Sequence, residues 1–88
     1  MTWYVYLLRC GNGDLYIGVT NDLERRLQQH QSGRGGWFTK ITQPVELMYH
    51  EVYNSEDQAQ RRETQLKGWS RRKKLALING DRLALKRA

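Results

Sequence analysis

The chain has 88 residues and one cysteine, Cys10, so its length predicts one domain spanning residues 1–88 and its cysteine count excludes an internal disulfide. No Cys/His grouping has the spacing of a zinc site, and the short apolar opening run, interrupted by Arg9, predicts neither secretion nor membrane insertion, so we expect a cytoplasmic protein. The net charge of +6 favours a polyanionic partner.

Two segments rich in aromatic and β-branched side chains flank the turn sequence GNGD at residues 11–14, which predicts a β-hairpin. Its Asn-Gly pair alone would indicate a two-residue turn. We expect instead a three-residue loop, Gly11–Gly13, because that loop places residues of equal parity from both strands on one face. In this register Tyr6 lies diagonal to Tyr16 and faces Gly18, which has no side chain to cover it.

The following segment predicts a helix of about three turns. Asn21 is a favourable N-cap, with a glutamate three residues later in the manner of a capping box, and Gly33 is a favourable stop. Arg26 and His30 are four residues apart, so they share one stripe of this helix.

A glycine-rich stretch, SGRGGWFTKITQP, precedes VELMYHEVY, which predicts a third strand. Backbone N–H groups of this stretch could cradle a phosphate while Trp37 and Phe38 stack on an unpaired base. Alternatively, these two aromatic side chains cover the core. The connection through one helix leaves the third strand either parallel or antiparallel to its neighbour.

Two further helices complete the pattern. Ser55 caps the first, Gly68 interrupts the sequence, and Ser70 caps the second, which ends near Asn79-Gly80. The order ββαβαα predicts a small α+β domain whose antiparallel sheet packs on helices.

The positive charge is concentrated in residues 55–88, where ten basic side chains accompany four acidic ones, whereas residues 1–54 hold five of each. This asymmetry predicts a phosphate-binding face, and the alternative is a solvated helix surface. The run RRKK begins the last helix, where the macrodipole disfavours cations and an outside anion would compensate. The cations expected to contact nucleic acid are Arg34, Lys40, Arg62, Lys67, Arg71, Arg72, Lys73 and Lys74.

Glu63 falls at or beside the inward stripe of the helix that begins near Ser55, where carboxylates are rarely placed without compensation. One interpretation is an edge position from which Glu63 reaches water or pairs with Arg62 or Lys67. The other is a metal ligand, since Mg²⁺ can bind through one carboxylate plus water and phosphate oxygens.

Four other side chains have similar alternatives. Tyr6 and Tyr16 are either a core aromatic pair or reactive phenols, Arg26 is either a surface arginine or a charge clamp, and His30 is either a helix-end histidine or a proton carrier. Together with Glu63 they supply the parts for phosphodiester cleavage: a water-orienting group or base, a positive clamp and a metal ligand.

The sequences YVY at residues 4–6, YIG at residues 16–18 and NDLERRLQQH at residues 21–30 resemble the GIY-YIG nuclease superfamily, in particular its small standalone bacterial members. The resemblance continues through SGRGG, PVELMY and RRETQLKGWSRRKKLALI. It departs from the family pattern at Tyr4-Val5, which replace Gly-Ile, and at Val19, where the repair-endonuclease branch has a lysine.

This resemblance implies site roles. Tyr6 would orient or deprotonate the attacking water, and Tyr16 would support the nucleophile or phosphate. Arg26 would stabilise the scissile phosphate, and His30 would carry a proton or contact phosphate. Glu63 would hold the metal.

The resemblance also implies a three-stranded antiparallel sheet flanked by helices and cleavage of DNA with Mg²⁺ or Mn²⁺. We expect single-stranded or branched DNA to be cut during repair or recombination, with Gly18 leaving room for the substrate backbone. The alternatives are a binding module with little catalysis and an accessory nuclease domain that needs a protein partner. A monomer is the default.

Overall fold

The computed structural model describes residues 1–32 and 45–81. These residues form an α+β fold in the order ββαβαα, as predicted. Its strands and helices are β1 (Trp3–Cys10), β2 (Leu15–Thr20), α1 (Leu23–Gln31), β3 (Val45–Tyr53), α2 (Glu56–Lys67) and α3 (Arg71–Asn79).

β1 and β2 form the predicted hairpin with its three-residue loop. The Cys10 N–H donates to the Asp14 carbonyl at 2.8 Å, and Gly13 closes the loop at φ +90°, a conformation that favours glycine. Tyr6 is paired with Gly18 in the resulting register. The expected alignment of Tyr6, Tyr16 and Gly18 is therefore confirmed.

β3 lies antiparallel to β1, so the parallel alternative does not occur. The sheet order is β2-β1-β3, which makes β2 an edge strand. The pairing shifts where Leu7 opposes Tyr49 but Leu8 opposes Leu47. Met48 is thus the extra residue of a β-bulge in β3.

The N-cap predicted for α1 is wrong by one residue. Asp22, not Asn21, caps the helix, and its carboxylate accepts the Arg25 N–H at 3.1 Å. The Asp22 N–H donates to the Thr20 hydroxyl at 3.1 Å, and this local turn takes up one additional residue between β2 and α1. The predicted stop at Gly33 lies outside the described residues, and α1 ends at Gln31.

The caps predicted for the later helices are confirmed. The hydroxyls of Ser55 and Ser70 accept the N–H groups of Gln58 and Lys73, three residues into each helix. Gly80 ends α3 in the left-handed conformation at φ +69°.

Buried side chains lie on both faces of the sheet. The face covered by α2 and α3 contains Val5, Leu7, Ile17, Ala59 and Leu66. The face covered by α1 contains Tyr6, Leu8, Cys10 and Val45. Among the described residues, every helix is too short or too polar to cross a bilayer.

Candidate active site

Tyr6 lies at the centre of a polar cluster between the sheet and α1. The other members of this Tyr6 cluster are Tyr16, Arg26 and His30. The Tyr6 side chain is almost fully buried, with 1% relative exposure. A Cβ atom added to Gly18 would overlap the Tyr6 Oη and Cζ atoms. The space above Gly18 is therefore taken by the Tyr6 phenol, which corrects the expectation that this glycine leaves room for the substrate backbone.

Two predicted site residues on α1 contact the Tyr6 hydroxyl. His30 Nε2 lies 2.9 Å from Tyr6 Oη, and Arg26 Nε donates to the same oxygen at 3.3 Å. Arg26 and His30 are one helical turn apart, so a single helix face presents both groups to β1. The structure thus brings Tyr6 together with two residues that are distant from it in sequence.

The Arg26 guanidinium has further partners. Nη1 donates to Gln29 Oε1 at 3.1 Å. The hydrogen bond with Tyr6 is the main cause that raises the pKa of Arg26, and a side-chain hydrogen bond with Tyr16 adds to it. Sequence reasoning missed Gln29. Its spacing of three residues from Arg26 on a helix is the signal that could have identified it.

Tyr16 completes the cluster through ring contacts. Its ring centroid lies 4.9 Å from that of His30, in an edge-to-face arrangement, and 6.3 Å from that of Tyr6. These distances are typical of packed aromatic pairs. The ring packing agrees with the core-pair interpretation, and Arg26 links the two hydroxyls. A reactive role for either phenol stays a prediction.

Burial controls the charge of this cluster. Desolvation is the main cause that raises the pKa of Tyr6 to about 12 and lowers the pKa of His30 to about 4, and the nearby Arg26 charge lowers the latter further. At neutral pH Tyr6 is protonated and His30 is neutral. Since Arg26 can only donate, Tyr6 Oη accepts from Arg26, and its own proton is available to His30 Nε2.

Glu63, on α2, lies beside the edge strand β2. It lines an open cleft of about 270 Å³ together with Tyr16, Lys67, Lys74 and the backbone neighbours of Tyr16 in β2. Its side chain is 22% exposed and lies 3.7 Å from Lys67 Nζ. The pairing with Lys67 was one predicted alternative, and this long contact leaves the carboxylate partly exposed to the cleft.

The Glu63 carboxylate also acts on the Tyr6 cluster electrostatically. Its negative charge is among the smaller causes that raise the pKa of Tyr6. Glu63 therefore lies within electrostatic range of the phenol, although it belongs to a helix on the opposite face of the sheet.

The donor set around Glu63 fits a hard divalent cation that keeps most of its water. The described residues contain no group of three or more His, Cys, Asp or Glu side chains able to hold a metal, so a fully protein-coordinated ion such as structural zinc does not fit there. Mg²⁺ and Mn²⁺ can be held by one accessible carboxylate plus water and phosphate oxygens. Glu63 would be the protein ligand.

The cations predicted to bind nucleic acid fall into different environments. Lys67 and Lys74 line the Glu63 cleft, and Arg72 is exposed on α3. Arg71 donates to the Gly13 carbonyl at 2.8 Å, and Lys73 Nζ lies 4.2 Å from the Trp69 ring centroid. Arg34 and Lys40, like Trp37 and Phe38, lie outside the described residues.

Arg62 is engaged inside the protein. Its guanidinium donates to both Glu51 carboxylate oxygens, at 2.9 and 3.0 Å. Tyr49 and Tyr53 donate their hydroxyls to the same carboxylate at 2.6 and 2.7 Å. Sequence analysis missed this network, which links β3 to α2 and uses most of the hydrogen-bonding capacity of Arg62.

Known proteins of similar sequence cover most of this chain. A 46% identical protein of Bacillus pumilus, designated UPF0213, aligns over 91% of this chain and 82% of its own length. A UPF0213 protein of Staphylococcus saprophyticus is 42% identical over 86% of this chain and 93% of its own length.

Two solution NMR structures have the same fold. The UPF0213 protein BH0048 of Bacillus halodurans has a TM-score of 0.60 and 38% identity, over 92% of this chain and 86% of that one. The E. faecalis protein EF2693 has a TM-score of 0.62 and 30% identity, over 91% and 85%. The GIY-YIG catalytic domain matches residues 2–76, so this chain belongs to the GIY-YIG family, whose domain indicates nuclease activity.

Proposed function

We propose that this protein is a metal-dependent endonuclease that hydrolyses phosphodiester bonds in single-stranded or branched DNA, in repair or recombination. The observation that carries the proposal is the Tyr6 hydroxyl, which lies between a neutral imidazole and a permanent cation. A purely structural core tyrosine does not need both partners.

In this proposal Tyr6 and His30 handle the proton of the attacking water. The Tyr6 oxygen orients the water and accepts its proton, while the phenolic proton moves to His30 Nε2. The resting pKa values, about 12 for Tyr6 and about 4 for His30, oppose this relay. An anionic phosphate beside Arg26 would offset the positive charge that contributes to the low pKa of His30, so we expect substrate binding to favour the transfer and the basal rate to be low.

Arg26 clamps the scissile phosphate in the same scheme. Its guanidinium is fixed by Gln29 and Tyr6, so its position is set before substrate arrives. Tyr16 contributes a second phenol beside this phosphate. Mg²⁺ or Mn²⁺ bound at Glu63 would polarise the phosphoryl oxygens and stabilise the leaving oxygen.

Lys67 and Lys74 attract the DNA backbone to the Glu63 cleft. Arg72, exposed on another side of α3, adds to the positive charge of this helix. Arg71 and Lys73 add positive charge nearby while holding the hairpin loop and Trp69. Arg62 is better assigned to the internal Glu51 network.

The test is cleavage of labelled single-stranded, duplex, flap and branched DNA by purified protein with Mg²⁺, Mn²⁺ or EDTA. A Tyr6→Phe/Glu63→Ala double variant, purified identically, controls for a contaminating nuclease. We expect metal-dependent cutting that the double variant lacks. Binding without cutting on every substrate would instead favour a nucleic-acid-binding module or a domain activated by a protein partner.

A further inference from the structure

A second cleft lies along the same edge of the sheet. Its volume is about 370 Å³, which falls in the range of roughly 300–1,000 Å³ typical of small-molecule clefts. Its lining includes Trp3, Asn21, Asp22, Arg25, Arg26 and Gln29.

The two clefts follow one another along β2, the edge strand. Residues 15–17 line the Glu63 cleft, whereas residues 19 and 20 line the second cleft. Gly18 lies between them, paired with Tyr6. The Tyr6 cluster is thus located between two adjacent clefts along this edge strand.

The spacing suits a nucleic-acid strand. At the usual rise of a β-strand, Tyr16 and Thr20 are about 13 Å apart, whereas bases stacked in a duplex strand are about 3.4 Å apart. A strand whose phosphate contacts Arg26 is therefore long enough to extend beyond the Tyr6 cluster. Its neighbouring nucleotides can reach the flanking clefts.

The second cleft combines polar groups that suit a nucleobase with cations that suit the phosphate beside it. The Asp22 carboxylate, which accepts the Arg25 N–H, can also accept from an amino group of a base. Trp3 is a partly buried aromatic residue packed on the core, and the Asn21 and Gln29 amides can pair with the polar edge of a base. Arg25 is an exposed cation of α1 that can contact the adjoining backbone phosphate.

We propose that this cleft binds the unpaired nucleobase immediately next to the scissile phosphate. The inference rests on the proposed function, in which Arg26 binds the scissile phosphate. Arg26 belongs to the Tyr6 cluster and also lines the second cleft. A base has to leave its duplex stack to enter, so the site selects single-stranded or distorted DNA over regular duplex.

An abasic scan tests the proposal. Single-stranded oligonucleotides, each lacking one base at successive positions around the mapped cut, are bound to Glu63→Gln protein in Mg²⁺. We expect loss of the base at one position adjacent to the cut to weaken binding by about tenfold or more. Loss of bases farther away should have a much smaller effect.

Substitutions assign the effect to the cleft. Trp3→Leu keeps an apolar contact with the core but removes the aromatic surface. In this variant, removing the base next to the cut should no longer weaken DNA binding; this weakening is the position-dependent loss. Arg61→Ala, on the exposed side of α2, should retain it. If Trp3→Leu does not fold, Asn21→Ala and Arg25→Ala change exposed side chains of the same cleft, and each should reduce the position-dependent loss.

The outcomes separate this inference from the proposed function. Metal-dependent cleavage with a flat abasic scan would overturn the base site and leave the nuclease intact. A position-dependent loss that persists in all the cleft variants would also overturn it. Absence of both binding and cleavage on every DNA would overturn the proposed function and this inference together.

Discussion

The buried Tyr6 hydroxyl is hydrogen-bonded to two side chains whose charges respond differently to their surroundings. Arg26 remains a cation under all ordinary conditions, whereas desolvation and the Arg26 charge lower the pKa of His30 to about 4. The oxygen therefore has a fixed positive neighbour and a neutral neighbour at neutral pH. This asymmetry gives the hydroxyl a defined direction for its proton.

Replacing Tyr6 by Phe removes this oxygen while retaining the ring above Gly18. We expect cleavage to slow by about 10²- to 10⁴-fold if Tyr6 handles the water proton. The melting temperature should fall modestly, since the buried His30 Nε2 loses a partner. Single-turnover rates measure the effect, and Tyr4→Phe on the same strand is the control. A Tyr6→Phe rate equal to that of wild type would show that the role of Tyr6 is purely structural.

His30 makes stability depend on pH. Above pH 6.5 the imidazole is neutral in both folded and unfolded chains, but between pH 6.5 and about 4 only the unfolded chain gains the proton. The free energy of unfolding should therefore fall as the pH is lowered through this window. Urea denaturation at pH 7.5, 6 and 5 should show this loss, and His30→Gln should show less of it; identical pH dependence in the two proteins would contradict the assignment.

At the scale of the strand, Gly18 matters because of what opposes it rather than because of backbone flexibility. A side chain at this position would overlap the Tyr6 phenol. Gly18→Ala should displace Tyr6 from His30 and Arg26, reduce cleavage strongly and destabilise the fold by roughly 1–3 kcal/mol.

Gly68→Ala is the matched control for that substitution. A Cβ at Gly68 would meet only the Gln65 carbonyl oxygen, at an ordinary 3.5 Å. Its activity and stability should stay near wild type. A Gly18→Ala protein with normal turnover would show that Tyr6 can move without loss of function.

At the scale of the helix, adjacent arginines on α2 have opposite roles. Arg62 pairs with the partly buried Glu51, their side chains 21% and 15% exposed, whereas Arg61 pairs with Asp57 at 80% and 73% exposure. Arg62→Ala leaves the Glu51 carboxylate without its cation and should destabilise by roughly 3 kcal/mol. Arg61→Ala should change stability by less than about 1 kcal/mol; equal urea midpoints for the two variants would refute the structural role of Arg62.

At the scale of the whole molecule, local signals in the sequence predicted the helices and strands and their order. The parity of the strand residues, rather than the Asn-Gly turn signal, predicted the hairpin register, and serine and glycine caps bounded α2 and α3. The α1 cap was misassigned because Asn21 and Asp22 are both good caps, and only the Thr20 turn distinguishes them. The antiparallel placement of β3 is a long-range pairing that local pattern leaves open.

The candidate site was predictable in part for the same reason. Tyr6, Tyr16, Arg26 and His30 lie on elements whose period fixes the direction of their side chains. The Arg62 contact was not predictable, because its partner Glu51 belongs to β3 and the pairing depends on how α2 packs against the sheet.

We propose above all that Glu63, from the opposite face of the sheet, acts in one metal-dependent site with the Tyr6 cluster. The most direct test measures DNA binding and single-turnover cleavage on the same preparations of wild type, Glu63→Gln and the exposed control Glu56→Gln. We predict that Glu63→Gln binds DNA nearly as well as wild type but does not cut it, while Glu56→Gln does both. Cleavage by Glu63→Gln at the wild-type rate would show that Glu63 does not belong to the site.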